Sequence, residues 1–285
     1  LVARILTKKE ISASPGARAA LKLEWDKLKK QGVWDVTGVR AWSAVAAEAK
    51  AANKTVHVGR IFEICVDKNC ELQTSDSRRK YKGRVVLQGN KVKDENFEAA
   101  MFQEMGSAPA TMEASKDCDS FSLLPDHCGQ QTDAESAYTQ SRLSSGIMTW
   151  VRIPRHEWPE DGSWDHIPDP VCPLILALYG HPDAGGYWEK HCDAHLCDCG
   201  FKPIPNWRSC YFHPELKLFL IVYVDDFKMA GPAANMQKGW DLIRPKIKMD
   251  DPTDFAHFLG CTHIEGEVEL EGSGKLVRTM TYDME

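Results

Sequence analysis

Two adjacent carboxylates, Asp225 and Asp226, close the most strand-like run of the chain, residues 216–223, in which Lys217 alone breaks the apolar sequence. Like charges held side by side in a confined site repel, and a divalent cation removes that cost. Magnesium takes one or two carboxylates and fills its shell with water and substrate phosphate. A third carboxylate from elsewhere would therefore complete a two-metal site. Asp133, in Gln130-Gln131-Thr132-Asp133-Ala134-Glu135-Ser136-Ala137-Tyr138, is the candidate. Taken alone, the Asp-Asp pair fits an ordinary acidic hairpin turn better than a metal site.

Two further groups carry chemistry. Arg78, Arg79, Lys80, Lys82 and Arg84 crowd into seven residues. Alternation along a strand puts Lys80, Lys82 and Arg84 on one face, either a phosphate contact or a plain solvated surface. His191, Cys192, His195, Cys197 and Cys199 lie within nine residues, with Cys210 nearby. Paired C-x-x-C knuckles are absent there, and free cysteine is usually a small core residue, so packing is expected rather than metal.

These residues need elements to position them. A helix is expected from Pro15 to Gln31, with Ser14 as cap, Pro15 in the first turn and Gly32 as stop. Leu21, Trp25 and Leu28 give it one apolar face. A second helix is expected over 39–52. Runs 55–66 and 80–88 form an antiparallel hairpin across a polar turn, and 216–230 reads as strand, tight acidic turn, strand. The pattern over 97–129 is weak, and 177–201 reads as a turn leading into a helix. Trp25, Trp34 and Trp188 are expected in the core.

Composition sets the frame. The chain has 285 residues, 43% hydrophobic and 27% charged, which suits one large domain or two modest ones and excludes disorder. No run of eighteen apolar residues exists, so no membrane-spanning helix is expected. Residues 1–93 hold 20 Lys and Arg against 9 Asp and Glu, and the remainder 15 against 32. That split fits a basic surface for a polyanion beside an acidic, metal-holding region, or simply solvated faces. Ten irregular cysteines with no signal segment suggest reduced thiols inside a cell, and Leu1 in place of Met suggests a piece of a longer product.

Wider wording carries a resemblance. Tyr223-Val224-Asp225-Asp226 after an apolar strand resembles the signature of reverse transcriptases, and the upstream blocks resemble the copia-type retrotransposon family in unbroken order. Lys80-Tyr81-Lys82-Gly83-Arg84-Val85-Val86-Leu87-Gln88-Gly89 is similar to its Y-K-A-R-L-V-A-x-G motif. Gln131-Thr132-Asp133 with Ala137-Tyr138 is similar to Q-x-D-x-x-x-A-[FY]. Trp150-Val151-Arg152-Ile153-Pro154, Leu176-Ala177-Leu178-Tyr179-Gly180 with Trp188, Gly200-Phe201, Ser209-Cys210-Tyr211-Phe212 and Phe258-Leu259-Gly260 resemble later blocks. The chain departs from the family at His181-Pro182-Asp183, where Leu-Lys-Gln is usual, and at Gly185-Gly186, where Pro-Arg is usual. Asp183 would add negative charge to a block that lies against the template and incoming base.

The resemblance implies an α+β fold: a right-hand polymerase palm, an antiparallel sheet with helices, plus a β-hairpin fingers subdomain. It implies a helical lead-in over 1–33, fingers and palm over 34–265, and the start of a truncated thumb or connection over 266–285. The implied reaction is RNA-directed DNA synthesis by two-metal nucleotidyl transfer. Asp133 and Asp225 would be the main ligands of two Mg2+ ions, or Mn2+ in their place, with Asp226 secondary. Lys82 and Arg84 would hold the triphosphate, Gly180 would lie at the nucleotide, and Tyr138 would pack beneath its sugar. Implied partners are an RNA or DNA template with primer, dNTP, and the integrase and RNase H of a parent polyprotein, with no membrane, in cytoplasmic particles or the nucleus. The rivals are a catalytically silent relic that only binds nucleic acid, and another two-metal enzyme such as a nuclease.

Overall fold

The computed structural model describes residues 2–102, 107–144 and 146–284. The chain divides into two compact units, Leu1–Met105 with Ser141–Tyr187, and Gly106–Gln140 with Trp188–Glu285.

In the first unit, helix Pro15–Gln31 runs between the predicted ends. The Ser14 side chain accepts the Ala17 amide, and Gly32, at φ +68°, turns the chain out of the last turn. Its buried face is Ala17, Leu21, Trp25 and Leu28. The helix lies on an antiparallel hairpin, Val56–Lys68 with Lys80–Leu87, registered from Ile61 opposite Leu87 to Lys68 opposite Lys80. Gly83 makes that approach possible, because a Cβ there would sit 2.5 Å from the Ala20 carbonyl oxygen. Val56–Lys68 also pairs in parallel with Met148–Arg152, which is followed in the sheet by Pro170–Pro173. The second helix is Trp42–Ala51, shorter than the spacing predicts, because Arg40–Ala41 pairs as strand with Val171 and Pro170. Trp25 and Trp34 meet edge to face in the core at 5.7 Å.

The second unit is built on a six-stranded antiparallel sheet in the order Thr253–Asp254, His127–Asp133, Asp226–Pro232, Leu218–Tyr223, Cys210–His213, Lys202–Pro203. Helices Ala233–Ile243 and the Trp188-to-Asp198 part of Ala184–Asp198 supply Trp240, Ile243, Trp188, Cys192 and Leu196 to one core with Leu220, Phe227 and Met229. Helix Met112–Ser122, in the stretch where the pattern is weak, packs with Phe219, Ile221 and Ala230. It escapes sequence reading because its buried face is Ala114, Ser115, Cys118, Asp119 and Ser122, small or polar throughout. A further hairpin, Cys261–Leu270 with Lys275–Asp283, follows. All ten cysteines are free. The architecture is α+β, as the sequence suggests.

Candidate active site

The acidic turn sits where two strands are forced to end. Leu218–Tyr223 and Asp226–Pro232 pair with Tyr223 opposite Asp226, so Val224 and Asp225 form a two-residue loop. Val224 has φ +58° and Asp225 does not share the positive angle. A positive φ at the first loop position alone is the II′ pattern, in which glycine is usual. A β-branched residue there stores roughly 1–3 kcal/mol of strain and persists only when its surroundings overdetermine it. They do. The Trp188 indole N–H donates to the Val224 carbonyl at 2.6 Å, and the Ala134 amide donates to the Asp225 carbonyl at 2.6 Å.

The first bond ties the turn to helix Ala184–Asp198, and the second ties it to the end of the strand that carries the third carboxylate. His127–Asp133 pairs antiparallel with Asp226–Pro232, and Asp133 stands directly opposite Asp226. The Asp250 amide holds the Asp133 carbonyl at 3.0 Å, and Thr132 Oγ1 donates to the Asp250 carbonyl at 2.8 Å. Gln131 clamps the same strand from its other face, donating to the His257 carbonyl at 2.8 Å. Asp133 is exposed, whereas Asp225 and Asp226 are half-buried. Burial first, then the charges of Asp225 and Asp133 and a hydrogen bond with Asp133, push the Asp226 carboxyl up to about 7. The Asp226 carboxyl therefore holds its proton up to near neutrality.

Tyr138 lies in the short turn Ala137–Gln140 just beyond Asp133 and packs, half-buried, on the core. Its hydroxyl pKa is raised by burial and then by the charge of Asp225, so the ring lies within electrostatic range of that carboxylate. Oxygen donors of this kind suit a hard divalent cation, whose charge would relieve the repulsion that raises the Asp226 carboxyl. Among the described residues, no group of three His, Cys, Asp or Glu side chains closes around a metal position. The carboxylates are adjacent, but their side chains do not form a cage by themselves.

The other predicted site residues lie in the first unit. Gly83, Val85 and Leu87 turn inward on strand Lys80–Leu87, leaving Lys80, Lys82 and Arg84 on the more exposed face. The Arg84 guanidinium stacks 4.7 Å above the Tyr179 ring. Arg78 pairs with Asp76 and Arg79 with Asp67, so those two cations are neutralised locally. Gly180 has φ +85°, and a Cβ on it would meet the Leu87 carbonyl oxygen at 2.1 Å. It permits the Leu87 amide to reach the Tyr179 carbonyl at 2.7 Å, and so sets Tyr179 beneath Arg84.

Asp183 lies in the turn before the next helix. It is buried, preceding helix Ala184–Asp198 and accepting the Tyr187 amide on its carbonyl. In the His/Cys cluster, Cys192 and Cys199 pack in the core and the His191 and His195 rings meet edge to face at 4.3 Å. Trp188 is core, as expected, but its bond to the Val224 carbonyl is a role that sequence reading missed.

Residues 66–272 match the family model described as reverse transcriptase (RNA-dependent DNA polymerase). No curated protein sequence matches the chain. Among solved structures, one of telomerase from Candida albicans in complex with the TWJ fragment of telomeric RNA is similar, at TM-score 0.40 and 10% identity. The alignment covers 85% of this chain and 48% of that one, so this chain spans about half its length.

Proposed function

The chain belongs to the reverse transcriptase (RNA-dependent DNA polymerase) family, and from that premise we propose that it is a copia-type RNA-directed DNA polymerase domain. Its substrates would be an RNA or DNA template with primer and deoxynucleoside triphosphates. The observation that carries this reading is the register of the acidic turn: Asp226 directly across from Asp133, with Asp225 on the strained loop between strands.

Polymerases of this family generally use divalent metal ions. Asp133, Asp225 and Asp226 would hold Mg2+, or Mn2+ in its place. Bound there, the ions would lower the pKa of the primer 3′-hydroxyl and neutralise charge on the leaving pyrophosphate. The residues do the rest. Asp226 would hold such an ion as a carboxylate, its proton given up to solvent, because a cation would supply the positive charge that relieves the repulsion among the three carboxylates. The Val224 strain, held by Trp188 and Ala134, keeps the Asp225 backbone in one position. The Tyr138 ring bars a 2′-hydroxyl, so deoxynucleotides are selected by steric exclusion. Lys82 and Arg84 contact triphosphate oxygens, with Gly180 and Tyr179 orienting Arg84.

The second reading, a silent relic that binds nucleic acid, is favoured by one observation: the carboxylates do not close a three-ligand group among the described residues. Primer extension on an RNA template separates the two. Magnesium-dependent dNTP addition supports the polymerase; retained primer-template binding without extension supports the relic.

A further inference from the structure

Strand Asp226–Pro232 carries a lysine into the interior. Lys228 lies two residues from Asp226, on the same face of the strand, and is fully buried. An ammonium has three N–H donors, and this one meets three acceptors. They are Asp119 Oδ1 at 2.5 Å, Ser115 Oγ at 3.0 Å and His263 Nε2 at 3.1 Å. His263 Nδ1 faces the Cys261 carbonyl at 3.2 Å, which leaves Nε2 as the acceptor toward Lys228. The Phe255 and Phe258 rings cover the ammonium at 4.5 and 4.8 Å. Asp119 Oδ2 accepts the Tyr282 hydroxyl at 2.9 Å.

His263 and Tyr282 are opposite each other in hairpin Cys261–Leu270 with Lys275–Asp283. One rung of that hairpin therefore reaches, through Asp119 of helix Met112–Ser122, to the strand that bears Asp226. Arg278 of the same hairpin donates to the Ser122 and His127 carbonyls, both at 3.1 Å, which fastens it to the end of that helix.

Stability alone does not call for this arrangement. Taking two charges out of water costs about as much as their attraction returns, and an apolar pair of similar volume serves as well or better. What a buried, paired charge adds is a single allowed position. Sliding the strand by two residues would bring Asp226 or Ala230 to the place of the ammonium and leave Asp119 buried without its cation. We propose that Lys228 is a positioning residue: through Asp119 it locks strand Asp226–Pro232 in register and couples it to the 261–283 hairpin, so that Asp226 stays opposite Asp133.

The catalytic consequence rests on the polymerase reading, but the lock itself does not, and the experiment keeps them apart. The paired variant Lys228→Met with Asp119→Leu removes both charges at once, and Tyr282→Phe loosens the network from the hairpin side. Melting temperature, amide hydrogen exchange, and kcat and KM in primer extension are measured for each against wild type. The paired variant should melt at or above the wild-type temperature, yet exchange its 226–230 amides about tenfold faster. Its kcat should fall roughly tenfold to a hundredfold with the KM for primer-template unchanged. Tyr282→Phe should shift both in the same direction by less. A paired variant with wild-type exchange and wild-type kcat overturns the lock and makes the network ordinary packing. If the paired variant does not fold, Tyr282→Phe decides: unchanged exchange over 226–230 overturns the proposal, and faster exchange supports it. An inactive wild type defeats the polymerase reading alone, and the exchange arm then judges the lock.

Discussion

The chain presents charge on two hairpins that handle it in opposite ways. Hairpin Val56–Lys68 with Lys80–Leu87 has a long polar connection and a positive face, and its cations are accommodated cheaply. Arg78 and Arg79 have local carboxylate partners, and Arg84 rests on Tyr179. The Tyr223–Asp226 turn is two residues long, holds a valine at positive φ and crowds three carboxylates until Asp226 keeps a proton near neutrality. The first has its positive-φ residue at Asn69, a type that tolerates that conformation, whereas the second places a β-branched valine there beside crowded carboxylates and is braced by Trp188, Ala134 and Asp250. Energy held at one place and braced from several sides is the physical mark of a site where geometry serves chemistry rather than stability. Solvated cations can steer and hold a polyanion without any such bracing.

Substitutions can break that contrast, beginning where the effect is largest. Asp225→Asn should lower primer extension on the order of a thousandfold while melting temperature and primer-template affinity stay near wild type. Activity that survives, supported by magnesium, would remove Asp225 from the site. Tyr138→Val should raise ribonucleotide incorporation relative to deoxynucleotide about tenfold to a hundredfold, because an overpacked contact of about 1–3 kcal/mol is relieved. An active variant with unaltered sugar discrimination, read from single-nucleotide addition kinetics, would return Tyr138 to the core.

Asp226 gives a pH signature. Its carboxyl is raised from 3.8 to about 7, so between those values the folded chain holds a proton that the unfolded chain has released. Stability then falls as pH rises through that window, and above it the full charge is carried unfavourably. Asp226→Asn should stabilise the protein at pH 8 by roughly 1–2 kcal/mol, a value reduced for the half-exposed site, and by nothing below pH 3.8. Thermal denaturation across pH tests this, and Mg2+ should narrow the gap by stabilising wild type alone. The smallest effect belongs to the other hairpin. Lys82→Ala with Arg84→Ala should weaken nucleic-acid or nucleotide binding modestly and reduce the salt slope by about one for each phosphate the side chains had neutralised. An unchanged slope would leave that face merely solvated.

Much of this was legible before any fold. Helix Pro15–Gln31 announced itself by Ser14, Pro15, Gly32 and an apolar stripe at helical spacing, and both hairpins by strand-like runs on either side of polar turns. These are local signals, set by dihedral preference and side-chain period. Helix Met112–Ser122 was not legible, because a face of Ala, Ser, Cys and Asp looks solvent-facing until strands cover it. Helix Trp42–Ala51 gave up its expected first residues to pairing with Pro170 and Val171, a partner more than a hundred residues away in the chain.

The amino-acid sequence by itself determined which groups are present and how they are spaced: the acidic pair after its apolar strand, Asp133 five residues before Tyr138, the cations at alternate positions of one strand. Only the tertiary structure decided their electrostatics. It put Asp226 across from Asp133, so that one carboxyl keeps its proton; it buried Asp183; and it gave Lys228 three acceptors from two distant segments. The reason is physical. Backbone preference acts over a few residues, whereas the cost of a charge depends on what surrounds it, and those neighbours come from the whole chain.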